Sequence, residues 1–455
     1  MSRRSVNRPV RGAWILIMSA VLAAPALARA QTPAAAPPRE LTMQQALTMA
    51  KKANKSLIVQ RALLAQAHTN IEQAWAALFP IVTAQGKYTR NYKNAVLDFG
   101  GLLNAYALKP GVAQPPDLVA VILKGNQLDG QVNASMPLIA PAAIAALRSV
   151  KTGYSASEAS YDASEADTLY AVAQAFYAAA VSDEVLVVRR SAIKVAQATL
   201  TNAQDRFAAG AVTKVDVDRA ELALVRDNQQ EVEARYGQSQ AYRALATLIQ
   251  ADGPFVVKPP QALPPEASTD LDMALHLRPE FRALELSAKS SDAAASAYAW
   301  KWAPTLSAFA NAHLGNYVGF TGDDYSWAVG VQLDWTLYDG GSRDAQRKLA
   351  AAQAAQSEAQ AAVLSDQIRD GLTDDKNLLD TKRQAVVASQ RGVDLALESL
   401  DLIRSQYEAG TITQVDLLAA QDNLVGAQEA LAQSRFDVAI ADLALRHAAG
   451  TFPPR

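Results

Sequence analysis

The residues able to carry chemistry in this 455-residue chain are few and dispersed. There is no Cys, which excludes a thiol nucleophile, a disulfide scaffold, a Cys-ligated metal and a lipid-modified N-terminal Cys. The four histidines, His68, His276, His313 and His447, stand beside no repeated acid or serine. No His-Glu-x-x-His, no Gly-rich phosphate loop ahead of a Lys and no nucleophile elbow occurs. Of two adjacent acid pairs, Asp323-Asp324 falls in an expected loop and Asp374-Asp375 on an expected solvated helix face. That leaves Asp216 and Asp416, each placed shortly after a glycine, Gly210 and Gly410. A carboxylate just past a Gly turn suits a helix start, where free amides and the positive end of the dipole await it. Several such carboxylates around one narrow axis would instead draw cations and raise one another's pKa. Neither arrangement is catalytic, and the chain reads as a non-enzyme without cofactor or metal.

The two aspartates belong to a duplicated segment. Arg206-Phe207-Ala208-Ala209-Gly210-Ala211-Val212-Thr213-Lys214-Val215-Asp216 is echoed by Gln406-Tyr407-Glu408-Ala409-Gly410-Thr411-Ile412-Thr413-Gln414-Val415-Asp416. Ahead of each copy runs a stripe of period seven: Leu186, Ile193, Leu200, Phe207 and Val386, Val393, Leu400, Tyr407. Such a stripe is a coiled-coil seam. Leu395 and Leu402 lie off it, so the helix has neighbours on two sides, as in a wall of helices. The duplication extends upstream, Val132 to Arg148 matching Val331 to Arg347, and Leu78-Phe79-Pro80 matching Trp302-Ala303-Pro304. Each copy reads helix, strand, loop, strand, long helix, turn, helix. The long helices are expected at about 142–209 and 341–409, each on the order of 100 Å long. Residues 31–250 form the first repeat and 271–455 the second. The linker between them, 251–270, is rich in Pro (Pro254, Pro259, Pro260, Pro264, Pro265), which suits neither a helix interior nor a central strand.

Four segments alternate with period two, at about 81–92, 126–138, 305–314 and 326–338. In the last, Trp327, Val329, Val331, Leu333, Trp335 and Leu337 oppose Ser326, Ala328, Gly330, Gln332, Asp334 and Thr336. Segments of about ten residues with one oily and one polar face suit a membrane barrel. Tyr88, Tyr92, Tyr317, Tyr325, Trp327, Trp335 and Tyr338 at their ends would suit interfacial girdles. The third segment is the weakest, because Phe309 falls on the polar face. Four strands cannot close around a channel, so several chains must contribute.

Charge and address agree with export. Lys plus Arg is 43 and Asp plus Glu 45, a net charge of −2, with no basic excess to bind nucleic acid. Arg3, Arg4, Arg8 and Arg11 precede an apolar run from Trp14 to Ala24 and the small-x-small site Ala28-Arg29-Ala30. Residues 1–30 therefore read as a signal peptide cleaved before Gln31, with no lipid anchor. No later run is expected to reach the length of a membrane helix.

Taken together, these pieces resemble the TolC family of outer-membrane efflux proteins. The resemblance rests on the Tyr/Phe-x-Ala-Gly-x-x-Thr-x-Val-Asp turns, on Arg278-Pro279-Glu280 at the start of the second repeat, and on the helix–Pro–strand junctions. It covers about 41–450. It implies a homotrimer whose twelve-stranded β-barrel, four strands per chain, sits in outer-membrane lipid and continues into a long α-helical barrel across the periplasm. It implies a gated duct that docks a periplasmic adaptor and an inner-membrane pump of RND or ABC type. Asp416 matches the family's constriction ring. A second ring position is Ala419 and the family's latch Arg position is Ile412, so only Tyr407 and Asp216 of the latch remain. Gly210, Ala211, Gly410 and Thr411 match the adaptor-docking tips. The rival reading is a periplasmic or secreted coiled-coil structural protein or adhesin.

Overall fold

The computed structural model describes residues 39–98, 119–260, 267–316 and 323–453. The expected signal peptide, Pro264, Pro265 and Tyr317 lie outside these residues, as does much of the loop between the first two alternating segments. In chain order the elements are β1 (Arg39–Thr42), α1 (Met43–Ala53), α2 (Lys55–Ala76), β2 (Ile81–Arg90), β3 (Ala95–Asp98), β4 (Val119–Leu123), β5 (Asn126–Ile139) and α3 (Pro141–Ala208). They continue as α4 (Lys214–Ile249), β6 (Phe255–Lys258), α5 (Leu271–Leu277), α6 (Pro279–Trp300), β7 (Thr305–Gly315), β8 (Tyr325–Asp334), α7 (Ser342–Glu408) and α8 (Gln414–Ala448).

The alternating segments form one antiparallel sheet in the order β2-β5-β7-β8. Its register puts like with like. Val82 faces Ala134, Tyr88 faces Leu128, Ala134 faces Ala310, and Ala310 faces Val329. On the opposite face Thr83 meets Asn133, Asn133 meets Asn311, and His313 meets Ser326. The apolar face is uncovered within the chain: Trp327 and Val329 are 67% and 69% exposed. A soluble sheet would bury that face against another layer. Phe309 has a local reason to sit on the polar face. It lies opposite Gly330, where an added Cβ would stand 2.9 Å from the ring, so the ring covers the glycine across the strands.

Strand ends fall where the ladder loses a partner. Alternation continues to Leu337, but β8 stops at Asp334, opposite Thr305. The residue before Thr305 is Pro304, which has no N–H to offer. Strand β2 stops at Arg90 rather than Tyr92, because the Asn91 side chain turns to bond the Lys124 carbonyl (3.0 Å) and Gln127 (3.1 Å). Two small additions went unread in the sequence pattern. Strands β3 and β4 pair antiparallel, and the expected linker contains β6, which pairs parallel with β1 between Pro254 and Pro259.

The helices prolong the strands. Segments α2 and α6 lead into β2 and β7, while β5 and β8 lead into α3 and α7. With 68 and 67 residues, α3 and α7 are each about 100 Å long. Helix α6 packs along the sheet-side half of α3, where Ser149 and Ser290 exchange hydrogen bonds to each other's carbonyls (2.8 and 2.9 Å). Helix α4 packs on the other half of α3, and α8 folds back along α7. Midway, an apolar core gathers Leu169, Val172, Phe176, Leu245 and Phe436 with Leu41 and Val257 from the β1–β6 pair. One 18-residue stretch of α3, with mean hydropathy 1.4, is apolar enough by composition for a membrane helix, contrary to the expectation of none. Several of the helix's apolar side chains are instead used in this core.

The junction after β8 is built around Arg343. Gly340 and Gly341 turn the chain with φ of 70° and 84°, a region other residues avoid. The buried Arg343 guanidinium then bonds Asp339 (3.0 Å) and the carbonyls of Lys301 (3.0 Å) and Thr336 (2.9 Å), and stacks on Trp302 at 3.8 Å. One side chain thereby fixes α7 to both strand ends.

Replacing Gly330 by Val should overpack the Phe309 contact and cost about 1–3 kcal/mol. Hydrogen exchange should quicken across β7 and β8, and Phe309→Ala in the same chain should slow it again.

Candidate functional site at the helix-hairpin tips

Farthest from the sheet, each long helix ends in the same five-residue turn, built from backbone bonds. At the first tip Ala211 N donates to Arg206 O (2.8 Å) and Gly210 N to Phe207 O (2.9 Å). At the second, Thr411 N donates to Gln406 O (3.0 Å) and Gly410 N to Tyr407 O (3.0 Å). This is the Schellman arrangement, which uses the helix's last free carbonyls and needs a left-handed residue. Gly210 and Gly410 supply it, with φ of 73° and 77°. Ala211 and Thr411 are exposed at the tips, and the Thr411 hydroxyl also donates to Gln406 O (2.9 Å).

The next helix starts at once. Thr213 donates to Asp216 from its backbone N (3.0 Å) and its hydroxyl (2.8 Å). Thr413 does the same to Asp416 (3.0 and 2.6 Å). Both aspartates are thus third residues of capping boxes. The bonds from Thr213 and Thr413 hold both carboxyls below the usual Asp range. Within one protomer these contacts push the Asp416 carboxyl down, and repulsion between copies around a shared axis would act against them.

The two tips have different surroundings despite their shared turn pattern. Tyr407 is 7% exposed, whereas its counterpart Phe207 is 47% exposed. Tyr407 and Asp216, expected as a latch, share no hydrogen bond within the protomer. Asp216 is engaged by Thr213 and by Arg219 (3.5 Å), while the ring of Tyr407 is covered by Arg206, whose Cζ lies 4.6 Å from its centroid. Arg206 also donates from Nη1 to Tyr407 O (3.2 Å). Ile412 carries no charge, and Ala419 lies exposed on the first turns of α8.

Further from the tips the hairpins are tied by polar pairs: Gln421 to Thr199 (2.9 Å), Arg226 to Asp422 (2.6 Å) and Arg189 to Glu429 (2.6 Å). Burial pushes the Glu429 carboxyl up, against the pull of Arg189. None of these residues forms a sequence motif; each tie joins positions about two hundred residues apart. The histidines converge nowhere. His68 meets Tyr154 edge-on, His313 pairs with Asp129 (2.7 Å) and His447 with Asp167 (2.9 Å). Among the described residues no three metal-ligating side chains gather.

With this geometry in hand, comparison with known proteins is direct. The sequence profile of the outer membrane efflux protein family matches residues 46–250 and 271–451. The chain is 25% identical over 276 residues to the outer membrane efflux protein BepC of Brucella suis, across 59% of each chain. The match thus spans well under two thirds of that relative's length. Two solved structures share the fold: a membrane protein of Pseudomonas aeruginosa (TM-score 0.73, 19% identity, 90% of this chain and 92% of that one) and the outer membrane protein VceC of Vibrio cholerae (0.70, 19%, 90% and 96%).

The capping boxes give a pH dependence of definite sign. A carboxyl whose folded pKa is depressed stabilises above its ordinary pKa and loses that stabilisation as pH falls through the folded value. Amide protection factors at 213–217 and 413–417 should fall on acidification below about pH 4. At the second tip they should become independent of pH in Asp416→Asn.

Proposed function

Because this chain belongs to the outer membrane efflux protein family, we propose that it is the outer-membrane duct of a tripartite exporter. Three copies would join their sheets edge to edge into a twelve-stranded barrel in outer-membrane lipid and their helices into a tunnel across the periplasm. The observation that carries the reading is the continuity of the sheet with the long helices. An apolar sheet face left uncovered leads directly into helices about 100 Å long. Among the described residues strands β2 and β8 each have a partner on one side only, so the sheet can be completed by further copies. A rod-like structural protein or adhesin has no use for such a sheet.

In this reading the chain performs no chemistry. It conducts what a pump and an adaptor deliver. The exposed turns at Gly210-Ala211 and Gly410-Thr411 are the surface on which the adaptor docks. The α7–α8 tips gather around the axis, and three copies of Asp416 form a negative ring there that favours cations. The exposed Phe207, Leu395 and Leu402 face neighbouring copies.

Photo-crosslinking from Thr411 in living cells, read by mass spectrometry, should capture a periplasmic adaptor. Capture of the protein's own neighbours alone would remove the exporter assignment. Bulky substitutions at Ala211 or Thr411 should abolish export while trimers still form. In planar bilayers Asp416→Ala should lose most of the cation preference and the block by divalent cations; unchanged values for both would refute the ring.

A further inference from the structure

The two tips share the Ala-Gly-x-x-Thr-x-Val-Asp pattern but not their surroundings, and the difference is concentrated at three positions where the copies carry different residues. Gln414 and its counterpart Lys214 open α8 and α4. Lys214 is exposed and pairs with Asp218 (2.8 Å). Gln414 is 3% exposed, and among the described residues neither its amide nitrogen nor its oxygen has a hydrogen-bond partner. Tyr407 is buried where Phe207 is not. Arg206 reaches from the last turn of α3 to the last turn of α7, over the Tyr407 ring (4.6 Å) and onto the Tyr407 carbonyl (3.2 Å). A cation is favoured at both places, by the ring's negative face and by the negative end of the helix.

We propose that Arg206 is the clasp that keeps the α7–α8 tip folded against α3 in the resting duct, using the face of Tyr407 and its carbonyl rather than its hydroxyl. The inference rests on the duct reading above. It assigns the resting closure to a contact inside one chain, between positions 206 and 407, and leaves Asp216 to its own helix start. The clasp is opposed by Gln414. A buried amide without a partner is costly, and swinging the tip away from α3 would hydrate it. Closed packing is therefore held by one interaction and strained by another, which suits a two-state element. The next tie, Gln421 to Thr199, lies about 10 Å further along the helix, so the last turns can move while the hairpins stay joined.

The test is single-channel conductance in planar bilayers together with pulsed electron paramagnetic resonance between spin labels at Ala211 and Thr411, in assemblies diluted with unlabelled chain. Arg206→Ala should raise resting conductance several-fold and lengthen the label separation, with Arg206→Lys between it and the parent protein. Tyr407→Phe should keep the low conductance, and Tyr407→Ala should raise it. Gln414→Leu should lower conductance further. Equal opening by Tyr407→Phe and Tyr407→Ala would assign closure to the hydroxyl and overturn the proposal, as would an unchanged separation in Arg206→Ala. Absence of any channel from the parent protein would refute the duct reading instead, and the label separation would still decide the clasp.

Discussion

A strand in hydrocarbon has no water to bond its backbone, so every N–H and C=O must find a neighbouring strand. The rest of this architecture follows from that constraint. Among the described residues four strands satisfy one another internally but leave β2 and β8 each with an open side. A chain with a lipid-facing surface and two open edges is incomplete by itself, and other copies are the self-complementary remedy. The register makes the remedy workable. It collects Val82, Ala134, Ala310 and Val329 on one face and the amides and hydroxyls on the other, so a closed sheet would be oily outside and wet inside.

Closure at one end sets the terms for the helices. Each strand is continued by a helical segment, so the spacing of strands around the barrel becomes the spacing of helices below it. The buried Arg343 enforces the change of period at the second junction, where it holds Asp339, two carbonyls and Trp302 at once. The first junction solves the same problem with Pro141 at the helix start. Small residues let the helices approach, as at Ser149 and Ser290, and the larger apolar side chains are reserved for the midway core.

Much of this was legible in the sequence because it is written locally. Period two in Ser326 to Leu337, period seven ending at Phe207 and Tyr407, and the Gly-x-x-Thr turns each report on residues close along the chain. What could not be read is what depends on partners far away. That β8 stops at Asp334 is tied to Pro304, which stands just ahead of the partner strand β7. Phe309 on the wrong face is explained only by Gly330 opposite it. At the tips the duplicated turn announced where Asp216 and Asp416 lie, and a helix cap was one of the two roles their spacing allowed; the bonds from Thr213 and Thr413 supply it. The burial of Tyr407 and not Phe207, and the reach of Arg206 between them, are tertiary facts. The turn pattern repeats, and the packing of one repeat on the other gives its two copies different surroundings.

The short parallel pair β1–β6 has a bearing on how such a chain is made. Its partners, Arg39 to Thr42 and Phe255 to Lys258, are separated by more than half of the described sequence. A chain secreted from its N-terminus would deliver the first member long before the second, and the same holds for the β5–β7 ladder that joins the repeats. Contacts of such sequence separation form slowly, and the waiting half exposes apolar strands throughout. The four-stranded sheet can therefore be completed only once the second repeat has been made, and until then β5 waits without its β7 partner.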